Sequence, residues 1–576
     1  MKKMLTPFGE KIDRNCPLSE YPRPQLKRDS YLCLNGEWDY AILPKEEQLK
    51  SYQGKILVPF SPESVLSGVE RTVTDKDKLY YRRYFELKEE FIKGRVLLNF
   101  GAVDYICQVS INGKFIGENR GGYYPFTFDI TNLIKIGKNE ITVTVTDPTE
   151  KGVQARGKQT FKRGGIWYTP QSGIWQTVWL ESVPESYIKS IKLTPNIDKD
   201  ILSVEISYNK DITKAKITIY DNQKEIIKTD ITGNKADIKL KDYKLWSPEN
   251  PYLYSLKIEA GEDTVESYFG MRKFSMGKDE KGIPRLMLNN KPYFHNGILD
   301  QGYWSDGMYT APSDEALIYD ITLMKEMGFN MLRKHIKIEP LRWYYHCDRL
   351  GMLVWQDMIN GGGKYNMFTI AIAPFIGIKL KDNKYRLFAC QDKEWREEYY
   401  KDSKRMVEAL YNCVSIAMWV PFNEAWGQFD SKKAYDFYKE LDQTRTIDHA
   451  SGWHDQGMGD VKSVHIYFRP ITMKRDDRPF VLSEFGGYSL KTKGHMYNEN
   501  KFFGYRKYYD KESYQKAFIK LYENQILPLI SKGLCATVYT ELSDVEDECN
   551  GIVTYDRKIV KFDKDAVKSL NQKLKL

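Results

Sequence analysis

The sequence of 576 residues lacks the features that define several classes of protein. It has no run of about 18 apolar residues, the length that predicts a membrane-spanning helix. Its eight cysteines include no Cys-x-x-Cys pair and no metal-like spacing, which favours free thiols in a reducing compartment. The N-terminal residues become polar at Gly9 before any apolar signal segment develops. We therefore expect a cytoplasmic protein with no membrane partner.

Charge and glycine patterns exclude two further classes. The net charge of +9 is spread along the chain without a basic cluster, so we expect no nucleic-acid partner. No glycine-rich phosphate loop and no flavin or nicotinamide fingerprint follows a predicted strand, so no organic cofactor is implied. What remains is an ordinary globular composition, 41% hydrophobic and 29% charged, in which 14% of residues are aromatic. Aromatic rings can serve as platforms for sugars, although most of them are expected in cores.

The first half of the chain is predicted to consist of β-strands. Short runs rich in β-branched residues alternate with turn signals up to about residue 275. Asn112-Gly113, between two apolar runs, is the strongest hairpin signal in the chain. The part from about 185 to 275 has the size of one immunoglobulin-like sandwich.

The pattern changes near residue 290. Ser313 is placed to cap a predicted helix that ends at Gly328, and strands alternate with helices from there onward. This alternation matches one (β/α)₈ barrel, which typically takes about 250 residues. The segment 361–389 interrupts it and is predicted to be a loop over the barrel mouth.

Two barrel strands are predicted to end in carboxylates. One apolar run leads into Asn423 and Glu424, and another leads into Glu484 and two glycines. Barrel enzymes keep their active sites at the carboxyl ends of the strands. A lone glutamate there more often caps a helix or pairs with arginine, but two such ends favour an active site. Two carboxyl groups facing one cleft are what the cleavage of a glycosidic bond requires.

A series of further motifs occurs in a fixed order along the chain. They lie at 34–38, 80–83, 109–113, 121–130, 173–176, 245–254, 269–272, 327–333 and 347–352. Together with the two strand ends, this ordered set resembles glycoside hydrolase family 2 over nearly the whole sequence. The resemblance implies a multidomain fold that combines β and α/β parts. It has a jelly-roll sugar-binding domain at 1–184, an immunoglobulin-like β-sandwich at 185–277 and a catalytic TIM (β/α)₈ barrel at 278–576.

The resemblance also implies roles for individual residues. Glu424 matches the acid/base and Glu484 the nucleophile of a retaining double-displacement mechanism, and Asn423 is placed to bind the sugar 2-hydroxyl. Seven further substrate-binding candidates follow from strand ends, family segments or aromatic character: Asp300, Arg333, His335, Trp453, His465, Tyr467 and Tyr539. For the aromatic residues among them, a place in the core is an open alternative. An acidic stretch, 544–547, is expected to be a solvated loop.

The resemblance points to an exo-acting enzyme on a glycoside or oligosaccharide, with β-galactosidase as the leading activity. Family glucuronidases carry Asn-x-Lys before a glycine near the chain end, and Glu548-Cys549-Asn550-Gly551 lacks it. A β-glucuronidase is therefore a weaker alternative, and a β-mannosidase or arabinosidase stays open. Retention of both glutamates disfavours a non-catalytic carbohydrate-binding protein. Some relatives use Mg²⁺, but no metal ligands are identified here, and a homo-oligomer stays open.

Overall fold

The computed structural model describes residues 4–210, 212–474 and 476–576. In these ranges β-strands dominate the chain up to residue 278, and the first α-helix begins at Asp314. The change from strands alone to strands alternating with helices therefore follows residue 290, as the sequence pattern predicts. No helix in the described ranges has the length and apolar character needed to cross a membrane.

The first domain is a jelly roll made of two antiparallel sheets. The hairpin predicted at Asn112-Gly113 is confirmed, because Ile106–Ile111 pairs with Lys114–Arg120 across it. Both turn residues have positive φ, +49° and +79°, as a tight hairpin requires. The six-stranded sheet contains, in spatial order, Gly54–Val58, Gly36–Pro44, Asp77–Leu87, Gly137–Thr146, Ile106–Ile111 and Lys114–Arg120. The four-stranded sheet contains Leu32–Cys33, Val178–Val183, Arg95–Phe100 and Phe126–Asp129, and Val103–Asp104 pairs separately with Gly173–Ile174.

The second domain is a smaller antiparallel sandwich with its own apolar core. One sheet contains Ile188–Asn196, Ile201–Tyr208 and Lys235–Lys239. The other contains Lys224–Thr232, Lys214–Asp221, Tyr254–Ala260 and Asp263–Phe269. Inward residues alternate with outward ones along these strands, as expected of an immunoglobulin-like sandwich.

The third domain is built on eight parallel strands. In chain order they are β1 (His295–Asp300), β2 (Met331–Lys334), β3 (Leu353–Asp357), β4 (Ile416–Val420), β5 (Thr446–Ile447), β6 (Lys462–Ile466), β7 (Phe480–Gly486) and β8 (Leu534–Thr540). Pairing runs from β5 through β1 to β8, β7 and β6. At the two ends of the sheet, the Asp460 N–H, just before β6, donates to the Ile447 carbonyl of β5 at 3.0 Å.

Helices surround this sheet, but unevenly. The predicted cap is confirmed, since Ser313 accepts a hydrogen bond from the Ala316 N–H. Between β5 and β7 the described residues form no helix, so the outer layer is thinner there than in a regular barrel. The α-helices are Asp314–Glu326, Leu341–Leu350, Ala373–Phe375, Lys393–Leu410, Ser431–Leu441, Lys511–Leu521, Leu527–Ile530 and Lys564–Asn571, with π-helical turns at Phe368–Ile372 and Tyr522–Ile526.

A small antiparallel sheet closes the end of the barrel at which its strands begin. It contains Phe274–Lys278, Pro284–Leu288 and Lys291–Pro292, and its apolar side chains join those of the barrel interior. The interior at this end of the barrel is therefore packed, as expected where the active site lies at the carboxyl ends of the strands. The expected domain limits stay predictions, and the one at 277 falls within the first of these strands.

The segment 361–389 lies over the barrel mouth but is more than a loop. It carries a π-helical turn and the short helix Ala373–Phe375. His454 Nε2 lies 2.8 Å from the Thr369 carbonyl oxygen, and the Phe375 ring centroid is 5.8 Å from that of Trp453. These contacts fix the segment beside the strand ends.

Candidate active site

Glu424 is held at the carboxyl end of β4 by an unusual backbone. Its φ is +47°, in the left-handed region, which a glutamate adopts at some cost in free energy. The Glu424 N–H donates to the Ser451 carbonyl at 3.0 Å, and the Ser451 N–H donates to the Phe422 carbonyl at 2.8 Å. This anchored turn directs a buried carboxyl group into the barrel mouth.

Glu484 lies within β7, and the glycines that follow it make room for aromatic rings. A Cβ on Gly486 would collide with the Tyr539 ring, and one on Gly487 with the Tyr505 ring. Tyr539 is fully buried and its hydroxyl accepts a hydrogen bond from the Tyr488 N–H at 3.2 Å. Its ring packs between β7 and the helix Lys511–Leu521. This position does not suit the substrate contact expected of Tyr539.

His465 connects the two glutamates. Its Nδ1 lies 2.8 Å from Glu424 Oε1, and its Nε2 lies 3.6 Å from Glu484 Oε1. The ligand-type atoms of these three residues all lie within 4.8 Å of one another. The structure thus brings the two carboxyl groups together across a single histidine.

Arg333 organises the floor of the site from β2. Its guanidinium donates to both Asp357 carboxylate oxygens, at 2.9 and 3.0 Å, and to Glu484 Oε1 at 3.1 Å. It also donates to Asn423 Oδ1 at 2.7 Å. His335 Nδ1 lies 2.8 Å from the same Asp357 carboxylate. Because the arginine side chain is fully buried, these contacts fix its partners rigidly.

The surroundings of the two glutamates shift their pKa values in opposite directions. Burial alone would raise the pKa of Glu484, but the neighbouring His465 and Arg333, with the Tyr467 hydroxyl, lower it to about 2. Burial raises the pKa of Glu424, the His465 hydrogen bond opposes this, and the Glu484 charge raises it further. Glu484 is therefore ionised at neutral pH, whereas the surroundings of Glu424 favour its protonated form.

The other expected substrate-binding residues have different surroundings. The Tyr467 hydroxyl donates to Glu484 Oε2, and its ring stacks on Tyr505 with centroids 3.8 Å apart. The Trp453 ring lies beside His465, with centroids 5.4 Å apart. Asp300 instead accepts from Lys334 at 2.6 Å, and Lys334 also pairs with Glu339 in a buried ion cluster. The Asp300 carboxylate is thus already occupied, which does not fit the expected sugar contact.

The cluster of Glu424, His465 and Glu484 is the one group of possible metal ligands found in the described residues. Its chemistry does not suit Mg²⁺, which prefers oxygen ligands and keeps several waters. The Arg333 cation 3.1 Å from Glu484 Oε1 already balances that charge. We therefore derive no step that uses a metal.

Several residues of the site are not among those predicted from the sequence. Asp357 ends an apolar barrel strand, the same signal that identified Glu424, and could have been found in that way. Ser451 contributes through its backbone. Lys158 comes from the jelly-roll loop 147–172, and its Nζ lies 5.9 Å from the Trp426 ring centroid. No pattern in the local sequence predicts that position.

The acidic stretch after β8 was expected to be solvated, which is wrong. Asp544, Glu546 and Asp547 are at most 5% exposed. Asp544 pairs with Lys561, and Arg163 of the jelly-roll loop lies 3.2 Å from Asp547 Oδ1. These ion pairs, with a hydrogen bond from the Thr169 N–H to Glu546, compensate the buried charge. They also hold the jelly-roll loop 147–172 against the barrel.

Three family models match the chain, in the order in which the domains occur. The model for the TIM barrel domain of glycosyl hydrolases family 2 matches residues 282–574, just over half of the chain. The glycosyl hydrolase 2 galactose-binding domain-like model matches residues 59–174, and a third family 2 model matches residues 186–272. The chain belongs to glycosyl hydrolases family 2.

Similar proteins include β-galactosidases from two bacteria. One from Priestia megaterium is 24% identical over 80% of this chain and 46% of its own length. One from Lactococcus lactis is 27% identical over 73% of this chain and 39% of its own length. The chain thus spans less than half of these relatives. A solved β-D-glucuronidase from Dictyoglomus thermophilum has the same fold, with a TM-score of 0.75 at 18% identity over 96% of this chain and 99% of that one.

Proposed function

We propose that the protein is a retaining exo-β-glycoside hydrolase in which Glu484 is the nucleophile and Glu424 the acid/base. The observation that carries this proposal is the pair of buried carboxyl groups at the barrel mouth, with oxygens within 4.8 Å of each other, whose pKa values diverge, that of Glu484 to about 2 and that of Glu424 upward. Such a divergence separates a nucleophile from an acid. A carboxylate oxygen of Glu424 and one of Glu484 lie within 4.8 Å of each other, which supports a retaining mechanism. Inverting enzymes hold their carboxyl groups about 6.5–9.5 Å apart.

The reaction proceeds in two steps. Glu424 protonates the glycosidic oxygen while Glu484 attacks the anomeric carbon, so the bond to the leaving group breaks and a glycosyl ester forms. The ionised Glu424 then takes a proton from water, which attacks the same carbon and releases Glu484. Asn423 contributes through Nδ2, which has no hydrogen-bond partner within the described ranges and can donate to the sugar 2-hydroxyl.

We propose a neutral terminal sugar, with β-galactosides as the leading substrates. Glu548 and Asn550 stand where family glucuronidases carry Asn-x-Lys, and their side chains bond to each other at 3.0 Å. A carboxylate at this position repels the carboxylate of a uronic acid. The names of the bacterial β-galactosidases agree with this choice.

A β-glucuronidase is the second candidate, favoured by one observation. The Lys158 ammonium lies near the site without an acidic partner in the described residues, and uronate recognition requires a cation. A panel of 4-nitrophenyl β-glycosides decides between the two. Turnover of the galactoside above the glucuronide supports our proposal, and the reverse order rejects the neutral sugar.

Azide tests the two roles. Glu424→Ala should lose most activity on substrates with poor leaving groups, and azide should rescue it with a β-glycosyl azide as product. Glu484→Ala with azide should give the α-glycosyl azide, because the anion then occupies the place of the missing carboxylate. NMR of the products distinguishes the anomers. The opposite stereochemistry would mean that the two roles are exchanged.

A further inference from the structure

A buried cation lies at the barrel mouth. Lys158 is 5% exposed, and its Nζ faces the Tyr168 and Trp426 rings at 5.4 and 5.9 Å from their centroids. In the described parts of the chain this ammonium has no hydrogen bond and no ion pair. The other buried lysines nearby, Lys334 and Lys337, both pair with Glu339. An unpaired buried charge is costly unless a ligand or water compensates it.

The backbone fixes where Lys158 points. The N–H groups of Arg156 and Gly157 donate to the Asn360 carbonyl at 2.9 and 3.1 Å, just after β3. The Asn360 amide donates back to the Gly157 carbonyl at 3.2 Å, and the Tyr168 N–H donates to the Lys158 carbonyl at 3.0 Å. The jelly-roll loop therefore presents the ammonium to the barrel as a fixed group.

A carboxyl group with a free oxygen lies at the same end of the site. Glu541 follows β8 directly, is fully buried and accepts from Gln301 at 2.8 Å through Oε2. Within the described ranges its Oε1 has no partner. The Glu541 N–H donates to the Asn550 carbonyl at 3.2 Å, and the Asn550 amide donates to Glu548 at 3.0 Å, so Glu541 and Glu548 lie side by side. Burial and then the Glu548 charge raise the pKa of Glu541, and the Lys158 charge opposes this. Tyr168, under the ammonium, donates to Glu548 at 2.5 Å.

We propose that Lys158 and Glu541 form a specificity pair that recognises hydroxyl groups of a neutral terminal sugar. A sugar hydroxyl can accept from the ammonium and donate to Glu541 Oε1, so it satisfies both groups. A uronate carboxylate only accepts, and it would add a third carboxyl group beside Glu541 and Glu548. The inference deepens the proposed function and rests on it. It assigns to the jelly-roll loop a residue that contacts substrate in the barrel.

The test compares Lys158→Met with Lys162→Met, a matched change at an exposed lysine of the same loop. Substrates are 4-nitrophenyl β-galactoside, its 3-, 4- and 6-deoxy analogues and the β-glucuronide. Loss of a charged hydrogen bond should lower kcat/KM of Lys158→Met on the galactoside about 10–100-fold. On one deoxy analogue, kcat/KM of the wild type should fall by a similar factor relative to the galactoside. On that analogue, Lys158→Met should be little slower than the wild type. Lys162→Met should match the wild type.

A second readout is the pH profile. The Lys158 ammonium opposes the raised pKa of Glu424, which burial chiefly causes. Its removal should therefore move the alkaline limb of kcat/KM to higher pH, and Lys158→Arg should restore the wild-type limb. An equal loss on all deoxy analogues, with an unchanged limb, would mean a purely structural role and overturn the inference. A loss confined to the glucuronide would also overturn it.

The controls separate this inference from the proposed function. If the wild type hydrolyses the galactoside and Lys158→Met is unimpaired, only the specificity pair is refuted. If the wild type hydrolyses no neutral glycoside, the neutral-sugar proposal itself is refuted.

Discussion

Replacing Tyr467 by phenylalanine should make the ionisation of Glu484, the proposed nucleophile, visible in the pH profile. The Tyr467 hydroxyl donates to Glu484 Oε2 and so stabilises the charged form of that carboxyl. Phenylalanine removes only the oxygen and keeps the ring that stacks on Tyr505 at 3.8 Å and 5°. The substitution therefore changes one hydrogen bond and little of the packing.

The size of the effect follows from the lost contact. A hydrogen bond to a charged group contributes about 1.5–3 kcal/mol. Since one pKa unit corresponds to about 1.4 kcal/mol, the pKa of Glu484 should rise by about 1–2 units. It would move from about 2 to about 3–4. Because the nucleophile must be ionised, activity falls as pH drops through this pKa, and the acid limb of kcat/KM should move upward.

The assay is the pH dependence of kcat/KM on an aryl β-glycoside from about pH 3 to 8, with thermal unfolding recorded at each pH. Tyr539→Phe is the matched control, because its hydroxyl bonds to the Tyr488 N–H and contacts neither glutamate. The control should leave the acid limb unchanged. An unshifted limb in Tyr467→Phe, or a shift to lower pH, would refute the assignment of Glu484 as the group that must be ionised.

The remaining predictions concern the framework of the site. Gly486→Ala should lower the melting temperature and kcat together, because a Cβ at φ +81° would meet the Tyr539 ring, and overpacking costs about 1–3 kcal/mol; unchanged melting would contradict the close contact. Arg557→Met should destabilise the barrel by about 3–5 kcal/mol, because it leaves the Asp320 carboxylate buried without its partner at 3.0 Å. Denaturant unfolding measures this loss, and a change below about 1 kcal/mol would mean that the ion pair contributes little.

Local chemistry made much of the barrel predictable. The helix beginning after Ser313 and the apolar runs of β3 and β4 follow from capping and from burial on both faces. The same reasoning found Glu424 and Glu484, because a carboxylate near the carboxyl end of a buried barrel strand is expected at the mouth. The family resemblance implies a raised pKa for Glu424 and an ionised Glu484, but the physical causes of the two shifts depend on neighbours from other strands.

The surroundings of Tyr539, Asp300 and Lys158 depend on contacts between distant segments. Tyr539 and Asp300 both lie at barrel strand ends. Tyr539 faces the outer helices and Asp300 faces Lys334. Alternate residues of a strand point to opposite sides of the sheet. A one-residue uncertainty in register therefore reverses the expected role. Lys158 is further removed still, since the bonds of its loop to Asn360 bring it to the mouth. Strand-end chemistry thus finds the two glutamates of the candidate active site, whereas the groups proposed to select the sugar depend on how two domains pack.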